Sequence, residues 1–136
     1  MGFFSTYDKM TPEKMIGIIG KHYQITERNG NVIEFDVQGM NLILVFDEHA
    51  DRMRIICPIC NRSDCEDDAI EKAMEANFHS ALDARYGLSK GVVWSAFIHP
   101  MSSLTQELLI SGIQQVAVAK ATFGSEFTSG FLEFGG

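Results

Sequence analysis

The sequence has no run approaching the roughly 18 consecutive apolar residues that suggest a membrane-spanning helix. Its start, MGFFSTYDKM, lacks the basic and long apolar regions of a signal peptide, so a cytoplasmic protein is expected. Positive charge is scarce: 11 Lys and Arg stand against 18 Asp and Glu, and the formal net charge of −7 repels phosphate backbones and anionic lipid alike. Neither nucleic acid nor a membrane is therefore expected as a partner. Cysteine is sparse too, with all 3 residues between Cys57 and Cys65, too local for a disulfide framework and suited to a reducing compartment. Linkers, repeats and low-complexity segments are lacking. Met1, Gly2 and Thr6 spell an N-myristoylation pattern, yet Phe3 and Phe4 suit equally an apolar arm docked on a core.

What is present is the composition of a globular domain, 46% hydrophobic and 21% charged over 136 residues. That length predicts a single domain spanning 1–136, with 1–10 an N-terminal arm and 125–136 a C-terminal tail whose Phe127, Phe131, Leu132 and Phe134 are too apolar to stand in water.

Thr11 as cap, Pro12 at the first helical position and the stripe Met15, Ile18, Ile19, His22 predict a first helix ending near Tyr23. Gln24 to Glu27, Val32 to Gln38, Leu42 to Phe46 and Arg52 to Cys57 then predict an antiparallel meander, with Asn29-Gly30 as a type I′ turn. Ser63 with Glu66 forms a capping-box pattern. Behind it Ile70, Met74, Phe78 and Leu82 recur at helical spacing, predicting a long central helix from near Asp64 to about Ala84, closed by Arg85 and Tyr86 and broken by Gly87. Val92 to Ile98 predicts a further strand. Ser103 with Gln106 opens a last helix along Leu108, Leu109, Gly112, Val116, Ala119 and Phe123. The expected class is α+β.

Two strands are apolar on both sides. Leu42, Leu44 and Phe46 alternate with Ile43 and Val45, and Val92, Trp94, Ala96 and Ile98 alternate with Val93, Ser95 and Phe97. A sheet with one wet face alternates apolar with polar, so each of these strands requires two covers, helices on one side and something else, such as another molecule, on the other.

The motifs that could carry chemistry are incomplete. Cys57, Cys60 and Cys65, in CPICNRSDC, supply part of a zinc site, and His49, His79 and His99 lie at no motif spacing from them. A thioredoxin-like pair would open a helix directly, whereas here Pro58 sits inside CPIC and the helix starts later. Gly87-Leu88-Ser89-Lys90-Gly91 spells GxSxG but runs from helix to strand, opposite to a nucleophile elbow. His79 and Asp83 fit a local hydrogen-bonded pair, and Asp47 to Asp51 fits a solvated hairpin loop.

From Ala76 to Thr105 the chain runs ANFHSALDARYGLSKGVVWSAFIHPMSSLT, and its ALDARY and WSAFIHP segments, with the order of elements around them, resemble the YbjN-like family of bacterial sensory transduction regulators. The resemblance implies a type III secretion chaperone-like fold, protein binding and dimer formation, and it carries over no catalytic residues. CPICNRSDC is not a hallmark of that family. The expected function is thus non-enzymatic protein binding, as a chaperone or regulatory adaptor, through the apolar side chains Ile43, Val45, Val93 and Phe97. Seven methionines supply adaptable surface. No cofactor is expected, and the expected partners are another protein and a second copy of the chain in a homodimer. The rival reading is a small metal- or thiol-based sensor or enzyme centred on Cys57, Cys60 and Cys65. A small-molecule pocket between sheet and helices is a third reading, for which no polar constellation argues.

Overall fold

Thr11 caps the first helix as its position predicts: Lys14 donates its backbone N–H to Thr11 Oγ1 at 3.3 Å, and helix α1 covers Pro12–His22. The computed structural model describes residues 9–79 and 82–124. The N-terminal arm up to residue 8 and the whole tail 125–136 lie outside them. Along the described residues follow β1 (Gln24–Asn29), β2 (Val32–Val37), β3 (Met40–Asp47), β4 (Arg52–Asn61), a 3-10 turn, helix α2 (Asp67–His79), β5 (Arg85–Ser89), β6 (Val92–Pro100) and helix α3 (Gln106–Thr122). All strand pairs are antiparallel, in the order β1-β2-β3-β4-β6-β5. No helix among the described residues is long and apolar enough to cross a membrane.

The first hairpin turn falls one residue beyond the predicted Asn29-Gly30. The first turn is Gly30-Asn31 with only Gly30 at φ +62°, whereas Gln38-Gly39 (+52°, +85°) and Lys90-Gly91 (+51°, +79°) have both central residues in the left-handed region of a type I′ turn. GxSxG is therefore the end of a strand and a hairpin turn.

The central helix is shorter than its spacing predicts. Past His79 the chain is held by bonds distant in sequence: Gln115 Oε1 accepts the Asp83 and Ala84 N–H groups at 2.7 and 3.0 Å, and Asn77 bonds both the N–H and the carbonyl of Tyr86. Arg85 and Tyr86, expected to close a helix, instead pair in β5 with Ala96 and Ser95 of β6. The predicted stripe also faces the wrong way. Ala73 and Ala76 are the buried residues of α2, while Met74 is 62% and Phe78 85% exposed. Capping differs as well, since Leu108 N–H bonds Thr105 Oγ1 rather than Ser103. On α1, His22 is exposed and bonds the Ile18 carbonyl.

All three helices of the described residues pack on one face of the sheet. Met15 and Ile19 of α1 and Leu109, Ile113 and Val116 of α3 share a core with Ile33, Phe35, Leu42, Leu44, Ile55 and Phe97. A smaller cluster joins Ala73 and Ala76 of α2 to Tyr86 and Ala119. Tyr86 donates its hydroxyl to the Ala119 carbonyl at 2.6 Å, and burial pushes its pKa up to about 12.

Candidate protein-binding surface

The face of the sheet opposite the helices is set by strand register. Val45 pairs with Arg54 and Arg54 with Ile98; Ile43 pairs with Ile56 and Ile56 with Ala96. Cross-strand partners share a face, so the outer surface carries odd-numbered residues on β3 and even-numbered ones on β4 and β6. That parity divides the predicted set. Ile43 and Val45 lie on the outer face and are partly exposed, whereas Val93 (3% exposed) and Phe97 (2%) point the other way, under the helices. Phe97 is aligned with Ile55 and its ring lies against Gly112 of α3. In their place β6 contributes Trp94, Ala96 and Ile98, the last 50% exposed.

The outer face is thus an apolar band of Ile43, Val45, Ile56, Ala96 and Ile98, over which no described helix lies. At one end it forms an open hollow of about 520 Å³ lined by Val45, Asp47, Arg52, Arg54, Ile56 and Ile98. Met74 and Phe78 of α2, Leu82, and Leu88 of the edge strand β5 are exposed as well. The hollow between α2 and β5 that Met74 and Leu88 help to line holds only about 60 Å³, the scale of a few waters rather than of a ligand.

The cysteines do not converge. Cys60 and Cys65, five positions apart, form a disulfide across the turn that leads from β4 to α2, where free thiols suited to a reducing compartment were expected. Cys57 is free, 1% exposed and on the helix side, donating to the Asn41 carbonyl at 3.4 Å. Burial raises its pKa and Lys120 only partly offsets this, so the thiolate a nucleophile or metal ligand requires is disfavoured. Among the described residues no group of three or more His, Cys, Asp or Glu is placed to hold a metal.

The remaining polar candidates have structural duties. Asp83 Oδ2 accepts from Gln115 rather than pairing with His79, whose ring stands edge-on to Phe78. His99 bonds the Pro100 carbonyl and stacks on Phe97. Arg85 donates to the Leu82 and Ala84 carbonyls. In the hairpin loop, Asp51 takes a left-handed φ of +52° and receives both the N–H and the hydroxyl of Ser102, at 2.8 and 2.6 Å. Those two bonds stabilise the charged carboxylate and hold the Asp51 pKa below its usual value.

No family model matches the sequence, and no curated protein matches it, so the YbjN-like resemblance stands on its two segments alone. Solved structures do match. A chain of the HopA1-SchA chaperone-effector complex superposes with a TM-score of 0.60 at 12% identity, covering 90% of this chain and 93% of that one. A chain of the Yersinia pestis type III secretion chaperone SycH in complex with a stable fragment of YscM2 gives 0.58 at 12% identity, covering 82% and 95%. At such identity the likeness shows the fold, an α+β arrangement of the type III secretion chaperone kind.

Proposed function

We propose that the chain is a non-enzymatic, cytoplasmic protein-binding domain, a chaperone or regulatory adaptor of the YbjN-like kind. It holds a partner polypeptide on the outer face of its sheet and pairs with a second copy of itself through the exposed side chains of α2 and β5. One observation carries this reading: Ile43, Val45, Ile56, Ala96 and Ile98 form a contiguous apolar band on a sheet whose described helices all lie on the opposite side. Soluble proteins rarely leave such a band open without a use for it. The similar structures are complexes of chaperones with other proteins, which supports the same reading by analogy of fold.

Capture from extracts of the source cells tests it, with tagged wild type, Val45→Glu and Phe78→Glu compared by quantitative mass spectrometry and light scattering. The wild type should be a dimer that retains a defined partner. Val45→Glu should lose the partner and stay dimeric, and Phe78→Glu should become a monomer. Identical protein sets and equal masses for all three chains would overturn the reading.

A further inference from the structure

The outer face carries a cation, Arg54, amid its apolar residues. Arg54 sits on the central strand β4, exposed, directly between Val45 and Ile98 and two residues from Ile56. Among the described residues its guanidinium has no hydrogen-bond or ion-pair partner. Of the carboxylates on the same face, Glu34 accepts from Asn41 Nδ2 at 2.9 Å, Asp36 from the Gly39 N–H at 3.4 Å and Asp47 from the Ala50 N–H at 3.2 Å, while Glu27 lies across from Glu34 on the edge strand β1, with two strands between it and β4. Arg52, the other cation beside the hollow, stands across from Asp47 and near Asp51.

A ligand that covers Val45, Ile56 and Ile98 also covers Arg54 and strips it of water. An uncompensated guanidinium buried in this way opposes binding, whereas one that meets a carboxylate forms a bidentate, charge-assisted pair. The chain's net charge of −7 repels an acidic run at long range, so a single carboxylate within an apolar segment satisfies both constraints. The interior strands of the face spend their backbone groups on the ladders, leaving recognition there to side chains. We infer that the outer face selects an apolar polypeptide segment bearing one Asp or Glu, and that Arg54 receives that carboxylate. The inference rests on the outer face being the binding surface, and it names the chemistry of the occupant.

Selection from a displayed library of random peptides, run in parallel on wild type, Arg54→Glu and Ile98→Ser, tests it. Both substituted residues are exposed, and circular dichroism confirms that each variant folds. Wild type should enrich apolar peptides containing Asp or Glu, and Arg54→Glu should exchange the acid for Lys or Arg. A synthetic peptide from the wild-type selection should bind Arg54→Glu about tenfold more weakly or worse, the loss expected for one charge-assisted pair. It should bind Ile98→Ser more weakly with its acid preference intact. Peptides that Ile98→Ser loses but Arg54→Glu holds equally well, with no acid enrichment, overturn the role of Arg54 and leave the surface standing. Peptides that bind Ile98→Ser as they bind wild type, or a library that yields no binder, overturn both.

Discussion

Gly112→Ala tests whether Phe97 is a core residue beneath α3 or belongs to a binding surface. A Cβ at position 112 would lie 2.6, 2.8 and 2.9 Å from Cδ2, Cε2 and Cγ of the Phe97 ring. Carbon atoms pack at about 3.5 to 4.0 Å, so the overlap approaches an ångström. The ring has little room to retreat, being 2% exposed with Ile55 (0%) aligned beside it, and α3 must lift instead. Two effects compete. Replacing a helix-interior glycine with alanine contributes about 1 kcal/mol of stability, and overpacking a closed core costs about 1–3 kcal/mol. With three ring atoms overlapped, the steric cost falls at the upper end and wins, for a net loss of about 1–2 kcal/mol. In a domain of this size that lowers Tm by roughly 3–8 °C. Gly17 of α1 is the control, because nothing lies within 4 Å of its added Cβ and Gly17→Ala should stabilise by about 1 kcal/mol. Urea unfolding followed by circular dichroism measures both, and Phe97→Leu in the Gly112→Ala background should recover part of the loss as a positive coupling. A Gly112→Ala chain as stable as Gly17→Ala would refute the argument, since α3 would then not close on Phe97.

Three further outcomes follow from the buried and bonded groups. Tyr86 keeps its proton in the folded chain to about pH 12 while the unfolded chain ionises near 10, so its contribution to stability is present below that value and is lost as pH rises between the two. Absorbance at 295 nm should show a late-titrating tyrosine, and Tyr86→Phe should flatten the alkaline fall while costing about 1 kcal/mol at neutral pH through the lost bond to Ala119. Asp51 has the opposite sign: its depressed pKa contributes stability above the ordinary carboxylate value, lost as pH falls through the folded one, so Asp51→Asn should be less stable at neutral pH and less sensitive to acid in urea titrations. Cys57 should resist alkylation by iodoacetamide at neutral pH in the native chain, and mass spectrometry should find it modified only after unfolding, whereas Cys60 and Cys65 become reactive once reductant opens their bond. Rapid native labelling of Cys57 would show that β4 opens locally.

The α+β class, the meander and the first and last helices were legible in the chain because their signals are local. Thr11-Pro12 starts a helix in almost any context, and Gly30 suits a hairpin turn because a left-handed φ is cheap there. The apolar character of both sides of β3 and β6 was equally plain and pointed to a second covered face. Which residues share that face was not legible. Register is a relation between strands distant in sequence, and a shift of one residue moves a whole strand to the other side. Alternation along each strand alone groups Val93 and Phe97 with Ile43 and Val45, whereas the pairing of β4 with both neighbours sends Val93 and Phe97 into the core and brings out Ile98 and Arg54. The end of the central helix failed for a related reason. Its i+4 apolar repeat is real, but Gln115, 32 residues from Asp83, and the ladder from β5 to β6 supply bonds that no window of local sequence contains. Composition and spacing determined most of the elements and how apolar they are, because those preferences act over a few residues. Only the tertiary structure decided which apolar side chains are core and which remain exposed, because burial depends on what the rest of the chain places opposite them.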